Sequence, residues 1–312
     1  MRVLYAGDPE EKALWARSLR AADPRMDLVM DPAQTDPDAV EAILYAPGGP
    51  LRDFAPYRNL RFVQSLWAGV ERILGEGRIP DHVPLARMVE PGLERGMVEY
   101  MLGHALRAHL ETERFREAQA KGIWAPEAPP LASGRPLGVL GLGELGAAVG
   151  RALAAVGFPV SGWSRAPKPE IGTGIRALWG PEGLEEILES SEILLILLPL
   201  TPETRGLLNA RTLARLPRGA RIVNAARGPI LDEAALLAAL DSGALGGATL
   251  DVFAMEPLPS GHPFWSHPKI LVTPHVASAT RPETAARVAA EQMRRLAQGE
   301  TPLHLVDRGR GY

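Results

Sequence analysis

The chain of 312 residues has no cysteine. Disulfides, thiolate metal sites and cysteine nucleophiles are therefore excluded, and no metal site is expected. Lysine is almost missing too, confined to Lys12, Lys121, Lys168 and Lys269, so nearly all basic charge is arginine. No apolar run reaches the roughly 18 residues of a membrane span. The start, MRVLYAGDPEEK, reads as a strand without the long apolar segment of a secretory leader. The expectation is a cytoplasmic protein with no membrane partner. A formal net charge of −3 gives no long-range pull toward nucleic acid, so an anionic ligand must be held locally. No repeat of solenoid period is visible. What remains is a length sufficient for two domains, with 46% hydrophobic and 23% charged residues, the composition of a globular enzyme-sized protein.

The most informative stretch is Leu137–Arg165, LGVLGLGELGAAVGRALAAVGFPVSGWSR. A short apolar run enters a turn carrying Gly141, Gly143 and Gly146, an Ala-rich helical pattern follows, and a second apolar run ends at Ser164-Arg165. This is G-x-G-x-x-G between a strand and a helix, the context in which the motif signifies dinucleotide binding. Gly141 allows the tight turn, Gly143 lets the backbone approach a pyrophosphate, and Gly146 lets the helix lie close to its strand. Free N–H groups at the helix start then face the diphosphate, aided by the helix dipole.

Around it, short apolar runs alternate with helical or polar stretches. Arg2–Ala6, Asp27–Met30, Ala42–Ala46, Arg61–Leu66 and Leu85–Val89 read as buried parallel strands, with weak helical pattern over Glu10–Ala21 and Asp38–Ala42. Gly96–Gln119 is the longest continuous helix candidate, followed by a Pro-rich excursion from Trp124 to Pro136. Strands are expected again at Ile175–Trp179, within Glu192–Leu200, and at Ala220–Ala226, Gly246–Asp251 and Ile270–Thr273. Helices are expected at Gly183–Ser190, within Thr204–Leu216, and at Asp232–Leu240 with Asp232 as N-cap. The last helix, Arg281–Ala297, has Thr280 and Glu283 at capping-box spacing and Pro282 in its first turn. The pattern is α/β, with two parallel sheets of which the Gly-rich one comes second. An inserted nucleotide-binding domain leaves the first domain to be completed by the chain's end. The C-terminal helix is thus expected on the N-terminal sheet, and the active site in a cleft between domains.

Three strand-end residues carry the chemistry when taken together. Arg227 follows Val223-Asn224-Ala225-Ala226, Glu256 follows Asp251-Val252-Phe253, and His275 follows Leu271-Val272-Thr273-Pro274. Alone, each is unremarkable; a histidine after Thr-Pro is by default a structural residue. Ligand sites of open parallel sheets gather at the carboxyl ends of strands. Hydride addition to a ketone builds negative charge on oxygen, which a positioned imidazolium neutralises by proton donation. A carboxylate beside the imidazole orients it and favours its charged form, and an arginine pairs with a substrate carboxylate. After the fourth strand, the Ala68-Gly69 pair offers either backbone N–H groups for a carboxylate or an ordinary strand-to-helix turn.

These residues resemble the D-isomer-specific 2-hydroxyacid dehydrogenase family over nearly the whole chain. The resemblance is carried by the glycine fingerprint, Leu198-Pro199-Leu200-Thr201-Pro202-Glu203-Thr204, Asn224-Ala225-Ala226-Arg227-Gly228, Asp251-Val252-Phe253 through Glu256-Pro257, and Thr273-Pro274-His275-Val276-Ala277. Within the family the chain is most similar to the glyoxylate/hydroxypyruvate reductase A branch, through Met97-Val98-Glu99-Tyr100, Trp163-Ser164-Arg165 and Pro263-Phe264-Trp265-Ser266-His267-Pro268. The resemblance implies that His275 is the acid/base, Glu256 its partner, and Arg227 the substrate-binding and polarising residue. It makes Trp67, Ala68, Gly69 and Val70, with Arg227 and His275, the substrate site. The cofactor site would comprise Gly141, Leu142, Gly143, Glu144, Leu145, Gly146, Ser164, Arg165, Leu198, Pro199, Thr204, Ala225, Ala226, Arg227, Asp251, His275 and Ala277. The implied fold has two Rossmann-like or flavodoxin-like parallel-sheet domains: a substrate domain of 1–100 and 276–312, and an inserted NAD(P)-binding domain of 101–275. A homodimer is implied, with the helix from Gly96 and the Pro-rich excursion at its interface.

Two positions depart from the commoner family pattern. Where many members carry an aspartate that accepts hydrogen bonds from the adenosine ribose, this chain has Ser164 followed by Arg165. Serine plus arginine binds a 2′-phosphate that aspartate would repel, so NADPH is expected over NADH, unless Arg165 is only a solvated surface residue. Trp67 stands where many relatives have a small residue, and it either narrows the pocket toward glyoxylate or hydroxypyruvate or packs under its loop. The expected reaction is NADPH-dependent reduction of a small 2-oxo acid. The alternatives are the same chemistry on a larger oxo acid, and a non-enzymatic dinucleotide sensor resembling the related corepressors.

Overall fold

The computed structural model describes residues 1–168 and 171–312. The chain divides into two compact units, Met1–Leu93 with Ala279–Tyr312, and Glu94–Ser278. Both are α/β with all-parallel sheets. The first unit begins with β1 (Arg2–Ala6), α1 (Lys12–Ala22), β2 (Asp27–Val29), β3 (Val40–Tyr45), β4 (Phe62–Ser65), α2 (Glu71–Glu76) and β5 (Leu85–Ala86). Helix α3 (Pro91–His109) carries the chain onward into α4 (Thr112–Ala120), β6 (Leu137–Leu140), α5 (Glu144–Val156), β7 (Val160–Ser164) and β8 (Ile175–Trp179). Then follow α6 (Gly180–Ser190), β9 (Ile193–Ile196), α7 (Ala210–Leu213), β10 (Ala220–Asn224), α8 (Glu233–Asp241), β11 (Leu245–Leu250) and β12 (Ile270–Val272), before α9 (Pro282–Ala297) completes the first unit.

The first sheet has order β2-β1-β3-β4-β5. Strands β1, β3 and β4 are almost wholly buried, as expected where helices cover both faces. On one face Ala285, Ala286, Ala289 and Met293 of α9 pack with Val3, Tyr5, Trp15 and Leu19, so the chain's end does return to the sheet built by its beginning. The alanines on α9 let the helix sit close against α1. The second sheet has order β12-β11-β10-β9-β6-β7-β8. Its winding reverses between β6 and β9, which opens a crevice at the carboxyl ends of these two neighbouring strands. Its core is aliphatic, built from Leu140, Leu194, Ile196, Ile222 and Leu250 on one face and Val139, Val149, Leu195 and Val223 on the other.

Several local expectations are corrected. The stretch Gly96–Gln119 is two helices: Glu111 takes left-handed backbone (φ 53°), and its carboxylate pairs with Arg135 at 3.1 Å and Arg114 at 3.4 Å. The weak helical pattern at Asp38–Ala42 is a single 3-10 turn, Pro37–Ala39, capped by Asp36, after which the chain is strand. Thr280 does not build a capping box. Its hydroxyl donates to the Leu66 carbonyl at 2.7 Å, and Arg281 occupies the N-cap with Pro282 in the first turn. Of the apolar run Glu192–Leu200, only Ile193–Ile196 pairs as strand. Strand β5 is shorter than the apolar run Leu85–Val89, and α2 follows the turn at Ala68-Gly69. Asp232 does cap α8, accepting from the Ala235 N–H at 3.0 Å.

Candidate active site

The glycine turn is built by close contacts that a side chain would prevent. Gly141 has φ 108°, and a Cβ there would lie 2.6 Å from the Leu197 carbonyl oxygen. A Cβ on Gly146 would lie 1.7 Å from the Gly141 carbonyl oxygen, so only glycine lets α5 start against the turn. Gly143 is different: it is the N-cap of α5, and a Cβ on it would meet no protein atom within 4 Å. Among the described residues no side chain caps this helix, so the N–H groups of its first turn, Glu144, Leu145 and Gly146, have no intrahelical carbonyl to meet. That is a cradle suited to a diphosphate, with the helix dipole adding to the attraction. Leu142 contributes no side chain to it. Its buried side chain packs over Gly162 of β7, where a Cβ would lie 2.3 Å away.

Across the crevice, the loop after β9 is tied by Thr204. This buried hydroxyl donates to the Pro199 carbonyl at 2.7 Å and accepts from the Thr201 N–H at 2.8 Å, so it shapes the loop around Leu198 and Pro199. At the end of β7, the Ser164 hydroxyl donates to the Ala166 carbonyl at 2.7 Å. Arg165 Nη1 lies 3.4 Å from Glu203 Oε2, and the Thr201 hydroxyl donates to that same oxygen at 2.7 Å. The Thr201 hydroxyl, and more weakly the Arg165 charge, hold the Glu203 carboxyl below its ordinary range. Sequence reasoning passed over Glu203, because nothing in a Thr-Pro-Glu-Thr run shows that it meets the residue after β7.

Strands β10, β11 and β12 are neighbours, and their carboxyl ends bring the three strand-end residues of the sequence into one region. Arg227 is half-buried, with Nη1 donating to the Ala226 carbonyl at 2.7 Å. Ala225 and Ala226 are buried, and Asn224 accepts from the Ala226 N–H at 3.1 Å and donates to the Arg227 carbonyl at 3.3 Å. Gly228 then lies directly on the next loop: a Cβ would sit 1.9 Å from the Phe253 carbonyl carbon. The same Phe253 offers its N–H to Glu256 Oε1 at 2.9 Å, so this contact sets the Arg227 loop beside the glutamate.

Glu256 Oε2 accepts from His275 Nδ1 at 2.7 Å. A carboxylate can only accept here, so Nδ1 carries the hydrogen and Nε2 is turned away from the pair. The imidazole is half exposed, at 49% of its side-chain surface. His275 also has left-handed backbone (φ 54°), which costs an L-residue roughly 1–2 kcal/mol. Its N–H donates to the Asp251 and Thr273 carbonyls at 2.9 and 3.1 Å. The buried Asp251 carboxylate accepts from the Val276 and Ala277 N–H groups, at 2.8 and 2.9 Å, and from the Thr273 hydroxyl at 2.6 Å. Ala277 therefore spends its N–H on Asp251 and buries its methyl in the core.

The remaining sequence candidates lie in the first unit. Ser65 Oγ accepts from the Trp67 N–H at 3.0 Å and donates to its carbonyl at 2.8 Å, which folds the loop after β4. Val70 is buried, and Trp67 is 40% exposed. Among the described residues, no carbonyl accepts from the N–H groups of Ala68, Gly69 or Val70. No group of three or more His, Asp or Glu side chains could hold a metal ion, and no helix is long and apolar enough to cross a membrane, among the described residues.

Residues 102–277 match the family described as D-isomer specific 2-hydroxyacid dehydrogenase, NAD binding domain. A glyoxylate/hydroxypyruvate reductase A of Yersinia enterocolitica is 36% identical over the full length of both chains. That of Serratia proteamaculans is 41% identical over 81% of this chain and 82% of its own. Among solved structures, a D-isomer specific 2-hydroxyacid dehydrogenase of Xanthobacter autotrophicus Py2 in complex with NADPH and MES superposes with a TM-score of 0.94. It is 43% identical, covering 100% of this chain and 99% of its own. The NADPH-dependent glyoxylate/hydroxypyruvate reductase of Sinorhizobium meliloti, in complex with NADP and sulfate, gives a TM-score of 0.91 at 33% identity over 100% of this chain and 99% of its own. With Arg227, Glu256 and His275 on the loops that follow three adjacent strands of a glycine-turn sheet, this chain belongs to the D-isomer-specific 2-hydroxyacid dehydrogenase family.

Proposed function

We propose that the protein reduces a small 2-oxo acid of the glyoxylate/hydroxypyruvate type to the 2-hydroxy acid, using NADPH in preference to NADH. The observation that carries this reading is the His275 Nδ1–Glu256 Oε2 pair at the ends of β11 and β12, one strand from Arg227. The relatives' names and the bound NADPH and NADP of the similar structures support it.

The unit Glu94–Ser278 takes the dinucleotide. The open side of Gly143 and the uncapped start of α5 fit a diphosphate, and Ser164 with Arg165 fits a 2′-phosphate. When bound, NADPH supplies the hydride that the carbonyl carbon accepts. His275 delivers the proton to the carbonyl oxygen from Nε2, while Glu256 holds Nδ1–H and stabilises the imidazolium before transfer. The Arg227 guanidinium pairs with the substrate carboxylate and stabilises charge developing on the oxygen. The N–H groups of Ala68, Gly69 and Val70 hold the carboxylate, and the exposed Trp67 indole limits the size of the acid. Ile123, Trp124 and Leu131, all exposed, offer the apolar face on which a second copy docks to form a homodimer.

The test is absorbance loss of NADPH or NADH with glyoxylate, hydroxypyruvate, pyruvate, phenylpyruvate and 2-oxoisocaproate, for the wild type and His275→Gln. Turnover fastest with NADPH and the two smallest polar acids, and reduced about 10²-fold or more in His275→Gln, is expected. A preference for NADH, or for phenylpyruvate, overturns the corresponding part. Wild-type turnover in His275→Gln overturns the mechanism.

A further inference from the structure

We infer that Tyr100, on α3, is a positioning residue for His275: its phenol, acting through Thr273 and Asp251, holds the turn that presents the imidazole. The inference rests on His275 being the proton donor of the reaction proposed above. His275 stands in left-handed backbone, so its turn must be held by its neighbours. The holding group is one buried carboxylate, Asp251, on which hydrogen bonds converge from both sides of the histidine. Thr273 donates its hydroxyl from before it, and Val276 and Ala277 their N–H groups from after it.

The direction of the next bond follows from counting hydrogens. A threonine hydroxyl has one, and that of Thr273 goes to Asp251 Oδ1 at 2.6 Å. The 2.7 Å contact between Thr273 Oγ1 and the Tyr100 hydroxyl is then donated by tyrosine. Burial pushes the Tyr100 phenol well above its ordinary pKa, so it stays a donor across the working range of the enzyme. The Tyr100 ring is itself packed on His104 at 4.3 Å between centroids. A donor on a long helix thereby orients the threonine, the threonine completes the carboxylate, and the carboxylate fixes the turn. The Tyr100 hydroxyl thus reaches His275 through Thr273 and Asp251.

Tyr100→Phe removes only the hydroxyl and keeps the ring. Proton delivery is sensitive to displacements below 1 Å, so kcat is expected to fall about 5- to 20-fold. The Kd for NADPH, read by fluorescence titration, should stay within about twofold, because the phosphate cradle lies on other elements. Thr273→Val breaks the same relay and should give the same loss, and the double variant should lose no more than either single one. The limb of the kcat/KM–pH profile that reports His275 should move in both variants. Wild-type kcat and pH profile in Tyr100→Phe, or losses that multiply in the double variant, overturn the relay. So does a loss of thermal stability with kcat and NADPH binding falling together, which marks a merely structural hydroxyl. His275→Gln separates the two levels. If it is inactive while Tyr100→Phe behaves as wild type, the relay alone fails; if it retains turnover, the proton-donor reading fails with it.

Discussion

Gly143 and Gly146, three residues apart in one turn, should respond to alanine in opposite ways. At Gly146 the new Cβ would sit 1.7 Å from the Gly141 carbonyl oxygen, where real Cβ atoms essentially never come closer than 3.0 Å. The helix or the turn must move by well over an ångström, and both are backbone, so no side chain can give way. Overpacking of this kind costs about 1–3 kcal/mol. For a unit of this size that lowers Tm by roughly 2–12 °C. At Gly143 a Cβ meets no protein atom within 4 Å, and its φ of −78° suits alanine. Alanine is a poorer N-cap than glycine by roughly 0.5–1 kcal/mol, so Tm should fall by no more than about 4 °C. The methyl would instead occupy the side from which a diphosphate approaches the N–H groups of α5. NADPH affinity should fall about tenfold or more with the fold intact. Calorimetry for Tm and fluorescence titration for Kd read the two effects separately. If Gly143→Ala binds NADPH as tightly as wild type, the diphosphate does not lie on this turn. If Gly146→Ala keeps the wild-type Tm, the tight contact with Gly141 is not what seats the helix.

Other outcomes follow from the charges. Glu203 shares Arg165 with any 2′-phosphate, so Glu203→Gln should lower the KM for NADPH about two- to fivefold and change that for NADH less; an unchanged ratio would show that Arg165 is not the phosphate partner. His104 and His109 both titrate below the ordinary histidine value, through burial first and then the nearby charges of Arg107 and Arg135 respectively. A histidine with a depressed folded pKa favours the native state least when the unfolded chain binds the proton. Stability should therefore be full above about pH 6.5 and decline as pH falls from there through the lowered folded values. Urea midpoints between pH 7.5 and 5 check this, and a profile flat to pH 5 refutes it. Glu111 acts in a lower window. Burial alone would raise it, but the Arg135 hydrogen bond and the charges of Arg135, Arg221 and Arg114 together outweigh burial and hold it below 4.5, so its contribution is lost only as pH falls beneath that value.

Local chemistry made much of the fold legible. Short apolar runs separated by helical pattern can only be buried parallel strands with crossovers, and the glycine spacing identified the turn before α5 without any knowledge of what surrounds it. Asp232 capped its helix because an N-cap needs only its own next turn. Where long-range partners compete, the local pattern failed. Thr280 has the spacing of a capping box, yet the carbonyl of Leu66 takes its hydroxyl. Glu111 lies in a continuous helical pattern, yet pairing with Arg135 accompanies a left-handed break there.

By itself, then, the sequence determined that Arg227, Glu256 and His275 follow strands, and that Ser164-Arg165 stands where an aspartate is commoner. Only the tertiary structure decided that β10, β11 and β12 are adjacent, because strand order depends on how crossovers pack and not on any one strand's composition. The same holds for Gly228 on Phe253, Glu203 beside Arg165, and Tyr100 on Thr273. Each joins residues far apart in the chain through a contact a few ångströms long, and no local periodicity records which residues a folded sheet will bring within that distance.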